Sequence, residues 1–259
     1  MVSIGWAWCW QRLAAAAELV LPAQCAACHA PGGPLCGTCS DAVRSGARGA
    51  GPAHVARPPP SGVPACWSGA RFEGALRLVV TAYKDEGRRD LRAELARLLA
   101  TALSAAVDDP PVRRRLAAGE EVLVVPVPPS RGARRRRGDD PVADLAATAA
   151  AAVHGGLVVA PALVHTRRVA DQSHLDRAAR ADNLAGAMGV GAPWRLVMAG
   201  ATCVVVDDVV TTGATLAEAV RALHDAGARH VVAATCATTP RDSPTPPLWP
   251  TDGPTSVCA

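Results

Sequence analysis

The chain has 259 residues, 49% of them hydrophobic, enough for one full α/β domain plus a small appendage. Its net charge of +4 is too mild to argue for nucleic-acid binding by itself. Nine cysteines are an odd number for a disulfide framework and favour reduced thiols and a metal site.

Met1 to Leu21 is apolar but carries Gln11, Arg12 and Glu18, with no basic start. Neither a signal peptide nor a membrane span is expected, and a cytoplasmic location is. Within it Trp6 to Leu21 reads as a helix stopped by Pro22. It either covers the cysteine module or lies on a membrane surface through Trp6, Trp8 and Trp10. The sequence predicts a module over 1–45, a Gly/Pro/Ala-rich linker over 46–64, a main domain over 65–239 and a disordered Pro-rich tail over 240–259.

In the main domain, Ala65 to Phe72 reads as a strand. Glu73 to Tyr83 and Arg89 to Val107 have helical periodicity, with a polar turn from Lys84 to Arg88 between them. Glu121 to Val127 is a short buried strand, followed by an arginine-rich loop and a helix from Val142 to His154. Ala162 to His165 is a further strand candidate, and Thr166 to Arg180 is polar and charged, either a mobile loop or an ordinary surface loop. Ala201 to Asp208 is an apolar strand ending in acid, Ala214 to Ala226 a helix closed by Gly227, and His230 to Cys236 a last strand. Strands alternating with helices predict a mainly parallel sheet covered on both faces.

The segment from Val204 to Thr215 carries the chemistry. A strand runs into Asp207 and Asp208, then into a turn of Thr211, Thr212 and Gly213, then into a helix opening at Ala214 and Thr215. Ligands of open parallel sheets collect beyond the strands' carboxyl ends. Backbone N–H groups, three hydroxyls and a helix N-terminus suit a phosphate, and Gly213 permits a tight turn. The two carboxylates suit vicinal hydroxyls nearby. A phosphate plus a diol is a ribose 5-phosphate. No Gly-Lys-Ser/Thr follows, which excludes a Walker-type loop.

This pattern resembles the signature of type I phosphoribosyltransferases. Pro126-Val127-Pro128-Pro129-Ser130-Arg131 resembles the pyrophosphate loop of that fold. The Tyr83-Lys84 … Gly87-Arg88 … Leu91 segment, and Gln172, Arg177, Asn183, Gly186 and Ala187, look like elements of the ComF/GntX-like family. That family is associated with DNA uptake in naturally competent bacteria. The chain departs from it at Gly138-Asp139-Asp140-Pro141, where the family has Gly-Phe-Asn-Gln, and in having only Cys66 where many members carry further cysteine pairs.

The resemblance implies a type I phosphoribosyltransferase fold that binds 5-phosphoribosyl 1-diphosphate with Mg²⁺. Thr211, Thr212, Gly213, Ala214 and Thr215 would hold the 5′-phosphate, Asp207 and Asp208 the ribose hydroxyls, and Pro128, Ser130 and Arg131 the diphosphate. Lys84, the only lysine in the chain, is either a phosphate contact or a surface residue ending a helix. The non-catalytic alternative is a module that binds a phosphoribosyl ligand or docks a protein partner in DNA uptake. No segment reads as a nucleobase reader.

Cys25-x2-Cys28 and Cys36-x2-Cys39 place four thiolates on two knuckles and predict structural Zn²⁺ in a zinc-ribbon-like module. Zinc is favoured over iron–sulfur, and redox pairs are the other reading. Four thiolates leave no open position, so no metal catalysis is expected there. Arg131, Arg134, Arg135, Arg136 and Arg137 form a basic run open to polyphosphate or single-stranded DNA, or to solvent alone. It lacks aromatics for base stacking.

Overall fold

The computed structural model describes residues 24–48, 64–130, 138–153, 155–167 and 185–239. The N-terminal helix, most of the linker, the basic run with Arg131, most of the 166–180 loop and the tail lie outside the described residues.

Five strands form an entirely parallel sheet in the order β1-β7-β6-β2-β3. They are β1 (Cys66–Arg71), β2 (Val122–Pro126), β3 (Leu157–Val159), β6 (Thr202–Val210) and β7 (His230–Thr238). A separate antiparallel pair joins β4 (Leu163–His165) to β5 (Met188–Val190). The helices are α1 (Gly37–Arg48), α2 (Gly74–Asp85), α3 (Arg92–Val107), α4 (Pro110–Ala117), α5 (Pro141–Ala152), α6 (Arg195–Met198) and α7 (Ala214–Asp225).

Alternation along the strands builds a core on each face of the sheet. Val122, Val124, Val204, Val206, Val232 and Ala234 pack with α1, α2, α3 and α5. Leu123, Val125, Cys203, Val205, Val231 and Ala233 pack with α7 and the β4–β5 pair. Burial on both faces explains why these strands read as unbroken apolar runs. Gly69 lets α3 close on β1: a Cβ there would lie 2.2 Å from the Leu98 carbonyl oxygen.

Some elements differ from the sequence reading. β6 extends two residues past the acid pair, because Val209 and Val210 pair with Ala237 and Thr238. Asp207 and Asp208 therefore lie within the strand, not at its end. The helix ending at Asp85 takes in Lys84, which the sequence placed in a turn. Helix α4 was missed, although Pro110 and Pro111 at its first positions are a start signal. β3, β5 and α6 were missed because three or four residues carry no measurable period.

The cysteine module is a knuckle followed by a helix, with no ribbon of strands among the described residues. Gln24 bridges Pro31 in a single antiparallel contact, and α1 starts at Gly37, taking Cys39 into its first turn. α1 runs to Arg48, into the stretch read as linker. Cys25, Ala27, Cys39 and Val43 join the same core as Leu76, Val80 and Tyr83 of α2.

Candidate functional site

From β2 the chain crosses to β3 on one side, and from β6 to β7 on the other. The switch point of the sheet thus falls between β2 and β6, where ligands of open α/β sheets bind. Pro126 lies beside Val206, and the Val127 amide donates to the Val206 carbonyl at 2.9 Å. Pro128 to Ser130 therefore leave the sheet beside β6, which carries Asp207 and Asp208, and the Thr211 to Thr215 turn follows where β6 ends at Val210.

Gly213 adopts φ +81°, the left-handed region that favours glycine, and opens α7 with Ala214 as its first residue. Thr211 is exposed, and Thr212, Ala214 and Thr215 are half-buried. The Thr212 hydroxyl accepts a long 3.4 Å hydrogen bond from the Ala214 amide. The amides opening α7 and the threonine hydroxyls are groups that suit an anion. Pro128 is half-buried and Ser130 exposed at the end of β2.

The acid pair faces two ways. Asp208 is buried, and both its oxygens lie against the Lys84 ammonium, at 3.2 Å for Oδ1 and 3.0 Å for Oδ2. Its Oδ1 also accepts from the Val209 amide at 2.7 Å. Asp207 Oδ1 accepts from the Asp208 amide at 2.8 Å, and Asp207 lies beside Thr235 of β7. Burial, then the neighbouring Asp208 charge, push the Asp207 carboxyl up to about 8, against the opposing pull of Lys84. Burial draws the Lys84 ammonium down, but the charges of Asp208 and Asp207 outweigh it and the net shift is upward. The Cys236 thiol of β7, buried behind the pair, is pushed up by burial and by both carboxylates.

The site's surroundings are held by Tyr83, Asp139 and Asp140, which the sequence reading named, and by Arg89, Glu218 and Arg221, which it did not single out. Arg89 stacks over the Tyr83 ring, donates to the Tyr83 carbonyl at 2.6 Å and pairs with Asp139 at 2.6 Å. The buried Tyr83 hydroxyl donates to the Pro141 carbonyl at 3.0 Å. Asp140 caps α5 by accepting from the Ala143 amide. The two acids that depart from the family pattern thus serve an ion pair and a helix cap. On α7, buried Glu218 accepts from the Met188 amide at 2.8 Å and pairs with Arg221. This ties β5, just after Gly186 and Ala187, to the helix that starts at the Thr-Gly turn. Burial raises the Glu218 carboxyl, but hydrogen bonds from Arg221, Met188 and Gly186 carry it below the ordinary range. Neither tie leaves a local sequence signal, because each joins distant segments.

The four sulfurs of Cys25, Cys28, Cys36 and Cys39 all lie within 4.8 Å of one another, with Cys28 and Cys36 at 3.6 Å. A tetrahedral zinc site sets its sulfurs about 3.8 Å apart, whereas a cluster of several irons holds them farther apart. Burial raises the Cys25 thiol, yet backbone amides of Cys36, Cys28 and Ala27 carry it down to about 6. Amides aimed at a sulfur suit a metal-bound thiolate. The four cysteines fit structural zinc.

A family model described as "Phosphoribosyl transferase domain" matches residues 154–254, from before β3 through β7. A solved structure titled "Structure of the allosteric regulatory enzyme of purine biosynthesis" is 23% identical over 56% of this chain, with a TM-score of 0.33. The match spans 25% of that chain, so this protein covers about a quarter of its length. No curated protein matches. The domain match and the parallel sheet flanked by helices make the fold phosphoribosyltransferase-like. Among the described residues no helix is long and apolar enough to cross a membrane.

Proposed function

We propose that this protein binds 5-phosphoribosyl 1-diphosphate with Mg²⁺ and transfers the phosphoribosyl group to an acceptor. The observation that carries the reading is the convergence of Pro128 to Ser130 and Asp207 to Thr215 at the switch point, with left-handed Gly213 opening α7. The amides and hydroxyls of Thr211 to Thr215 hold the 5′-phosphate. Asp207 and Asp208 accept from the ribose hydroxyls. Pro128, Ser130 and Arg131 line the diphosphate side. Mg²⁺ would accompany the diphosphate and would supply positive charge to offset that of the leaving group.

Departure of diphosphate leaves an oxocarbenium-like C1, the electronic demand of glycoside cleavage. The protein then needs positioning and fixed charge more than a strong base. The resemblance to the ComF/GntX-like family extends the reading to DNA uptake in the cytoplasm. Zinc on the four cysteines would hold the module against the core that also receives α2.

The test is calorimetric titration with Mg²⁺ and phosphoribosyl diphosphate, followed by turnover with a nucleobase panel. Binding with diphosphate release is the expected result. Binding without turnover on any acceptor favours a ligand-binding or partner-docking module, the reading that the missing nucleobase reader supports. No binding removes the proposal.

A further inference from the structure

We propose that Lys84 is a positioning residue of the ligand site, acting through Asp208: its ammonium fixes that carboxylate as the charged acceptor for a ribose hydroxyl. The inference rests on the phosphoribosyl reading and departs from the sequence expectation of a phosphate contact. Lys84 comes from the last turn of α2, 124 positions from Asp208 in the chain. It reaches both oxygens of a carboxylate whose side chain is 5% exposed. A buried carboxylate keeps its charge only against a partner.

The remaining valences define what Asp208 can still do. A carboxylate offers about four acceptor sites. Oδ1 is taken by the Val209 amide and Lys84, and Oδ2 by Lys84 on one side. The fourth position is shared: the Asp207 side chain hydrogen-bonds to Asp208, and a ligand hydroxyl would compete with it there. Asp207, beside it, is held toward its neutral form by burial and by the Asp208 charge. The pair therefore presents one anion and one group able to donate as well as accept, and Lys84 decides which is which.

Among the described residues, the titratable groups around the pair are few. α2 contributes Lys84 with Asp85 behind it, β7 contributes Cys236, and β1 contributes Cys66 toward Asp207. The Cys66 thiol is pushed up to about 12 and the Cys236 thiol is also raised, so both stay neutral near neutral pH. Lys84 is then the cation that sets how the pair holds its protons.

The experiment uses the full chain, with Lys84→Met and Lys84→Arg, and titrates ribose 5-phosphate and Mg²⁺–pyrophosphate separately from pH 5.5 to 9. The first probe carries the diol without the diphosphate, and the second the reverse. Lys84→Met is expected to move the acid limb of ribose 5-phosphate binding up by about one pH unit, about tenfold in affinity below that limb. Pyrophosphate binding stays unchanged, and Lys84→Arg restores the limb. Loss of pyrophosphate binding with an unmoved limb places Lys84 on the diphosphate and overturns the proposal. An equal loss for both probes at every pH reduces Lys84 to a structural role and also overturns it.

Should the Met variant not fold, acetylation of Lys84 in the folded protein removes the same charge, because it is the only lysine. If the unmodified protein binds neither probe, the phosphoribosyl reading fails by itself. Carboxyl ¹³C NMR of the Asp207–Asp208 pair then decides: a titration moved up on loss of the Lys84 charge supports the proposal, and an unmoved one ends it.

Discussion

The Cys25–Cys39 cluster draws its four thiols from one short stretch of chain, whereas the Asp207–Asp208 pair depends on a lysine 124 positions away. Both regions crowd several ionisable groups of one kind into partly buried space. The cysteine module gathers them on a knuckle and the first turn of α1, and amides of Ala27, Cys28 and Cys36 favour a thiolate at Cys25. Its four sulfurs are spaced to receive a cation. The acid pair sits inside a central strand, where the sheet already uses the backbone. Its compensation comes from the end of α2, through Lys84. A cluster local in sequence can be completed by a metal from solution. One set inside a sheet takes a cation that only the fold can deliver, here Lys84 from the last turn of α2.

The sharpest way to break the comparison is Cys36→Ser. Structural zinc sites supply about 10–16 kcal/mol of apparent binding free energy to small modules. Cys25 and Cys39 lie in the same core as Tyr83. Elemental analysis should find about one zinc per chain in the unaltered protein and none in the variant, with solubility lost as the core opens. A zinc-free chain that stays folded would remove the metal from the argument.

A smaller effect is expected at the acid pair. Asp207→Asn with Asp208→Asn should abolish calorimetric binding of phosphoribosyl diphosphate while the chain stays folded. The charge-assisted hydrogen bond lost at Asp208 costs about 1.5–3 kcal/mol, and the neutral one lost at Asp207 about 0.5–1.5 kcal/mol. Unchanged affinity in a folded double variant would take the ribose role away from both residues.

The smallest expected effect separates the two acids. The folded state holds a proton on Asp207 up to about pH 8, whereas its ordinary value is 3.8. Between those values the folded chain binds a proton that the unfolded chain has lost, so stability falls as pH rises across the window. Asp207→Asn removes that slope. Its Tm should gain on the unaltered protein as pH goes from 5 to 8, by about 2–4 °C for each kcal/mol recovered. Parallel Tm curves for the two proteins would return Asp207 to an ordinary carboxylate.

The sequence was most legible where chemistry is contiguous. The four cysteines, the acid pair and the Thr-Gly turn each lie within a few residues, so spacing alone proposes their roles. The five sheet strands show how burial limits such reading: β6 and β7 are long apolar runs, whereas β3 is three residues with no period. The limits of β6 were misread because an aspartate pair resembles a strand end, and only pairing with β7 shows that the strand continues.

By itself the sequence determined the α/β class, and it proposed the Thr-Gly turn for an anion and the four cysteines for a metal, because hydrophobic period, turn chemistry and ligand spacing are local properties. Only the tertiary structure decided that Lys84 rests on Asp208, that Arg89 joins Tyr83 to Asp139, and that Glu218 ties β5 to α7. Each of these contacts closes a gap of many residues. Their partners are chosen by how the sheet stacks its crossovers, and no local pattern encodes that choice.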